Sequence, residues 1–367
     1  HNKVFDVASF TICAYIYPTT PTVDNEGVAV GVQGVLTKWD ASNETGYGLF
    51  INESGELCLR IGRGKDKVEE CSTGKPLMRK VWYKVGASYD ANTGKVRVFQ
   101  IPYVTNTNGG HGMSMLHPLE DTLGEKEFST HYGVPTNNDC PLLLAASTEK
   151  TNSGRTIFGA HYKDLSEPLT IPVHTQKYNG KIERPKLVNC ALNKHDIEIL
   201  LSSQGIENVP NEQRKNVIGA WDFVANIKDN AASTTIIDKS LTLAHGQGVN
   251  MPVRGTTGFN WSSEYMSFKH GPHEYGAIHF HDESVDDARW APSFTLKVPA
   301  ELKSGVYAAR LRVNRKVSAD MEDYIPFFVR PPASGATAKI ALIIPTFSYM
   351  AYANDNLSVN SVIAQLL

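Results

Sequence analysis

From Phe10 onward the chain alternates apolar and polar residues in short runs joined by tight-turn sequences. FTICAYIYP (residues 10–18) is the first such run. GYGLFINESGELCLRIG (46–62) and WYKVGASYDANTGKVRVFQI (82–101) each divide at a turn, ESGE in one and DANTGK in the other. A period of two sends successive side chains to opposite faces of a strand, and a Gly/Asn/Asp/Ser turn between two such runs is the hairpin pattern. Many short strands spaced in this way fold as a sandwich or a jelly roll. That reading extends from residue 1 to about residue 258. At 367 residues the chain has room for two or three cores.

Two segments depart from the strand pattern. Residues 104–140 are rich in Asn, Gly and His, have little apolar periodicity, and are expected to leave the sandwich as a packed insertion or a binding loop. ALNKHDIEILLSSQG (191–205) reads as a helix. Asn193 can cap it, Asp196 sits in the first turn, Ile197, Leu200 and Leu201 form its apolar face, and Gly205 can end it. GAWDFVANI (219–227) supplies a late strand, and residues 236–261 close the unit. The order strand, KIERPKL, short helix, WDF strand resembles the laminin-G or concanavalin-like jelly roll, a likeness of fold that says little of function. Beyond it, SFTLKVP (293–299), GVYAARLRV (305–313) and YIPFFVRPP (324–332) alternate again, and residues 259–333 are expected to form a small immunoglobulin-like β domain. Pro331 and Pro332 break the chain, ASGATA links it, and KIALIIP (339–345) reads as the first buried strand of an α/β unit over residues 334–367.

Composition narrows the classes of function. The 36 Lys and Arg against 38 Asp and Glu leave a formal net charge of -2, with no basic excess to neutralise phosphates, so no nucleic-acid partner is expected. No apolar run approaches the ~18 residues of a membrane span. Five scattered cysteines (Cys13, Cys58, Cys71, Cys140, Cys190) never fall in CxxC spacing and read as free thiols in a reducing, cytoplasmic setting. No signal peptide is visible at the start, although the first residue is His1 and not Met, which leaves an upstream segment open.

Three constellations carry candidate chemistry. In HGPHEYGAIHFHDESVDDARW (270–290), His279, His281 and Glu283 share a face of an extended chain, a plausible start to a transition-metal site. Alternating histidines more often pack, or pair with acids at an interface. Asp286, Asp287 and Arg289 read as a structural ion-pair turn. Glu183 in KIERPKL stands alone, without the second carboxylate that a glycosidase needs, and is expected in a solvent-facing ion pair. G-x-S-x-G, HExxH and P-loop motifs are missing. No Asp/Asn-rich metal loop stands out, so passive sugar or calcium binding by the jelly roll has no motif behind it. After the last strand come Tyr349 and Tyr352, three apart and adjacent on a helical turn. A phenolate is a hard oxygen donor suited to a strong Lewis acid, yet by spacing alone two such tyrosines are usually packing residues.

The series GTTGFNW, H-x-P-x-x-Y-G-A-I-x-F-H-x-E (His270 to Glu283), DDARW, EDYIPFFVRPP and SYMAYAN resembles the large-subunit family of N,N-dimethylformamidases. The likeness spans nearly the whole chain and is most specific from residue 254 onward. It implies an amide hydrolase that cleaves small N-substituted formamides to amine and formate, by metal-assisted hydrolysis with iron as Lewis acid. It implies a jelly roll, a small β domain and an amidotransferase-like α/β domain holding a mononuclear iron, bound by two tyrosines and a glutamate. Of those ligands only Tyr352 matches a residue of this chain, which demotes Tyr349 to packing. The partners implied are a small helical subunit, further copies of the large subunit, and the rest of the catalytic domain, in continued sequence or as another chain. Residues 339–344 are accordingly expected to pair with further strands. His279 stands where the family pattern has an aromatic residue, and 104–140 is not closely matched, so the preferred amide stays open. The competing reading is a non-catalytic β scaffold that binds a glycan or a partner.

Overall fold

The computed structural model describes residues 3–348 except 24–26, 104–118, 131–132, 152–170, 251, 283–293, 313–321, 333, 336–337 and 347. Its strands are β1 (Phe10–Pro18), β2 (Gln33–Asp40), β3 (Thr45–Ile51), β4 (Glu56–Arg63), β5 (Val68–Pro76), β6 (Trp82–Asp90), β7 (Lys95–Tyr103), β8 (Gly124–Ser129), β9 (Leu143–Leu144) and β10 (Ser147–Thr151). They continue as β11 (Ile171–Thr175), β12 (Gly180–Val188), β13 (Val217–Asp222), β14 (Thr235–Asp238), β15 (Gly246–Gln247), β16 (Val253–Thr256), β17 (Ala277–Phe280), β18 (Gly305–Arg312) and β19 (Glu322–Val329).

Two compact units divide between Arg289 and Trp290. The first is a β-sandwich of jelly-roll type. One sheet runs β15-β14-β13-β12-β1-β6-β7-β8, with β17 on β12 and β16 on β17. The other runs β11-β10-β2-β3-β4-β5, with β9 on β2. The predicted hairpins form as read: β3 pairs with β4 around the ESGE turn, and β6 with β7 around DANTGK.

β1 shows how the sequence pattern becomes a core. Phe10, Ile12, Ala14 and Ile16 point between the sheets, where they meet Leu49, Leu59, Val85 and Val98. Its other face carries Cys13 and Tyr15, and these are buried too, against Ile197, Leu200 and Leu201 of helix α1 (Lys194–Leu201) and against Phe259. The first sheet is therefore covered on both faces. Thr11 tolerates this because its buried hydroxyl is paired, donating to Cys190 O at 2.7 Å and accepting from Leu192 N–H at 2.8 Å. All five cysteines are free thiols, four of them buried.

Several expectations are corrected. The insertion expected over 104–140 is not uniform, since Gly124–Ser129 forms β8 and extends the sheet beside β7. Helix α1 is capped as read, Asn193 accepting from Asp196 N–H, but it ends at Ser202 and not at Gly205. The boundary expected at 258/259 falls inside the first unit, because β17 hydrogen-bonds to β12 and β16 to β17. Of the expected immunoglobulin-like domain, the described residues form one antiparallel hairpin, β18–β19, and residues 294–299 form no strand. Residues 340–345 likewise form none, and Ile340, Leu342 and Ile343 are 88%, 77% and 92% exposed. A strand exists only through hydrogen bonds to a neighbour, and no described strand pairs with that segment.

Candidate functional site

Tyr349, Tyr352, Glu283, Asp286, Asp287 and Arg289 lie outside the described residues. His279 and His281 lie within them, and their rings approach edge-on with centroids 5.7 Å apart. They share a face, as the spacing predicts. Yet His279 sits opposite Lys181 across the β12–β17 ladder. Burial, then the Lys181 charge, then His281 push its pKa down. A neighbouring ammonium disfavours a metal cation as well as a proton. Among the described residues no three His, Cys, Asp or Glu side chains converge as a metal site would need.

The most unusual chemistry in the first unit is at a fork in β12. The first half of that strand, Gly180–Glu183, pairs with β17; its second half, Lys186–Val188, pairs with β13. Between the halves the register against β1 shifts, and Arg184 takes a left-handed φ of 49°. A bulge re-aims side chains, and a non-glycine residue at positive φ is a strained position that the surroundings must hold in place. Pro185, which has no N–H to offer a ladder, follows directly.

Four charged residues of KIERPK occupy this fork. Lys181 donates its Nζ to Thr257 O at 3.0 Å and Thr257 Oγ1 at 2.6 Å. Arg184 donates Nη1 to Leu201 O and Ser202 O, both at 3.1 Å, at the end of α1. Its guanidinium also lies 4.8 Å over the Phe259 ring. Lys186 donates Nζ to Ser203 O at 2.7 Å. Phe259 thus sits between Arg184 and Tyr15, whose ring stacks on it at 3.7 Å and 3°.

Glu183 overturns its sequence reading most plainly. It is not solvent-facing: it has 0% exposure. One carboxylate oxygen accepts from Phe259 N–H at 3.0 Å, the other stands 3.8 Å from Arg184 Nε, and the Gln204 amide lies beside them. Burial pushes its pKa up to about 7, while Arg184, the Phe259 N–H, Gln204 and Lys181 pull the other way. Gly258 and Gly276 flank the carboxylate so closely that a Cβ at either would collide with its oxygens. Alternation in KIERPKL could not reveal this, because the covering residues come from 257–276, far along the chain.

A second feature missed in the sequence is a polar cleft of about 520 Å³ lined by Asp6, Asp40, Asn43, Thr45, Asn137, Asn138, Asp139 and Lys150. No Asp/Asn-rich loop announces it, since its residues come from four separate stretches. Its charges are largely met internally. Lys38 Nζ, buried, reaches Asp6 at 3.3 Å and Asn138 O at 2.6 Å; Lys150 pairs with Asp139; Asp40 accepts from Ser42 N–H and Asn43.

The fold and these buried polar groups define a concanavalin-like β-sandwich carrying a second, smaller β unit. Residues 1–100 match the family model of the concanavalin A-like lectin/glucanases superfamily. Residues 253–359 match the model of the C-terminal region of N,N-dimethylformamidase beta subunit-like proteins. The chain is 31% identical over 358 residues to the N,N-dimethylformamidase beta subunit of Alcaligenes sp, and 33% identical over 359 residues to that of Paracoccus aminophilus. Each comparison covers 97% of this chain and 42% of the relative, so the chain spans less than half the length of the curated relatives it matches. Over that part of their length it is similar to the N,N-dimethylformamidase beta subunits. Among solved structures, the SAP-like pentraxin of Limulus polyphemus superposes with a TM-score of 0.29 at 14% identity, covering 56% of this chain and 75% of that one.

Proposed function

We propose that this chain is part of an iron-dependent amide hydrolase of the N,N-dimethylformamidase type. The substrate class is N,N-dimethylformamide or a similar small N-substituted formamide, cleaved with water to amine and formate. The carrying observation is identity of 31% and 33% to two named N,N-dimethylformamidase beta subunits across 97% of this chain. In this reading Tyr352, in the SYMAYAN segment, supplies one phenolate to a mononuclear ferric ion, which when bound acts as a Lewis acid toward the amide carbonyl. The described residues offer no converging donor set that fits a metal, so the assignment rests on that segment alone and no step is derived through the ion. The sandwich serves as scaffold and as a surface for oligomer contacts. A small helical subunit, further copies of the large subunit and the remaining catalytic-domain sequence are the proposed partners, and the cytoplasm the proposed setting.

The test uses the full-length subunit with its partner subunit. Iron content is measured by elemental analysis and formate release by a coupled assay, for the wild type and for Tyr352→Phe. The variant is expected to lose iron, and to lose activity by more than the ~10–100-fold that outer-shell changes at metal sites cost. Full activity in an iron-free wild-type enzyme, or an unchanged variant, overturns the reading. A saccharide bound by an iron-free assembly would favour the scaffold alternative.

A further inference from the structure

Residues 257–276, between β16 and β17, form a piece that is stitched to itself. Gly258 N–H donates to Glu274 O at 2.7 Å, the Glu274 carboxylate accepts from Ser262 N–H and hydroxyl at 3.0 and 2.7 Å, and Tyr275 donates its hydroxyl to Tyr265 O at 2.7 Å. Trp261 Nε1 donates to the same Tyr265 O, and Asn260 to His273 O. A segment closed on itself in this way is a compact loop packed by its own side chains. Its anchors to the sheet centre on Phe259, whose ring lies between Tyr15 and Arg184 and edge-on to Tyr103 and Trp82 and whose N–H donates to Glu183, with Thr257 held by Lys181.

We propose that residues 257–276 form a proton-gated clasp, held on the outer face of the sheet while the Glu183 carboxyl carries a proton and loosened when it ionises in its buried position. The groups around that carboxyl explain why ionisation is poorly met. From β12 it faces Arg184 and Lys181, from β1 the Tyr15 phenol, from the stretch after α1 the neutral Gln204 amide, and from the clasp itself one N–H and two glycines. Arg184 is committed to the α1 carbonyls and to the Phe259 ring, so its Nε stays 3.8 Å from the carboxylate, beyond hydrogen-bond reach. Lys181 is likewise committed to Thr257. An anion so placed recovers its hydration only if water enters, and the lid over it is the clasp. Burial pushes the carboxyl up to about 7, within a range that a cell or a buffer can cross. This inference stands independently of the iron-hydrolase reading.

The experiment is hydrogen–deuterium exchange of the full chain between pH 5.5 and 8.5, with rates corrected for intrinsic chemical exchange. Protection of 257–276 in the wild type is expected to fall by more than about tenfold across this range, since each unit of pH between the ordinary carboxylate value and the buried one favours the opened form by up to tenfold, and the fall levels off above about 7. Glu183→Gln, which keeps the acceptor for Phe259 N–H but cannot ionise, is expected to hold the clasp with little dependence on pH. Flat protection of 257–276 in the wild type overturns the proposal without any variant. An equal fall in wild type and Glu183→Gln overturns it as well.

Discussion

Lys186 shows how much a single position on β12 can weigh. Its side chain is 0% exposed and burial, opposed in part by Cys13, lowers its pKa from 10.5 to about 8. A base whose folded pKa is depressed folds more readily neutral than charged. The cost of burying the charge is therefore fully present below pH 8 and is relieved as pH rises from about 8 towards 10.5. Lys186→Met keeps the volume and removes the charge. It is expected to raise the free energy of unfolding at pH 7 by ~1–3 kcal/mol, although Ser203 O loses its donor. The same variant should also flatten the climb of stability between pH 8 and 10.5, which denaturant titrations at several pH values would measure. Neither this burial nor that of Glu183 was legible in the sequence. KIERPKL, with four charges among seven residues, reads as an exposed edge, and only the residues that later fold over it turn its charged face inward.

At the scale of the element, helix α1 was the most legible part of the chain. Asn193 caps it through Asp196 N–H at 2.9 Å, and Ile197, Leu200 and Leu201 fill the outer core, as the spacing implied. Capping depends on residues three apart, so local sequence carries it. Asn193→Ala is expected to cost about 1 kcal/mol, read as a lower midpoint in urea unfolding with an unchanged slope. The end of the helix was less legible. Gly205 was the natural stop, but the last carbonyls, Leu201 O and Ser202 O, are taken by Arg184 from a different element. With those acceptors satisfied from outside, the helix has no need of a glycine in a left-handed turn. The strand pattern was read correctly for β3, β4, β6 and β7, whose hairpin partners are close in sequence, and for β1, whose partners β6 and β12 are not. It missed β8, whose short charged run GEKEFS does not alternate and lies inside a segment of loop-like composition.

At the scale of the molecule the two units differ in how they are built. The first has a core between its sheets and a second core outside one of them. In the second, the described residues form the hairpin β18–β19, where Tyr307 stacks on Phe327 while Val306, Tyr324 and Ile325 are 56%, 53% and 46% exposed. An isolated two-stranded hairpin is marginal in water. Amide protection in β18–β19 of this chain is therefore expected to fall short of that in β1 and β12 by more than about a hundredfold, the difference between local fraying and global opening. Exchange measured under native conditions checks this, and equal protection would show that the hairpin has found a cover. By itself the sequence determined the β class, the hairpins of the sandwich, the capped helix and the family likeness carried by the motifs from residue 254 onward, because each is written in neighbours or in a residue string. Only the tertiary structure decided that 253–280 belongs to the first unit, that both faces of its sheet are covered, and that Glu183 and Lys186 are interior. Burial is set by what packs on a strand from distant parts of the chain, and a period of two cannot say which of its faces will be covered.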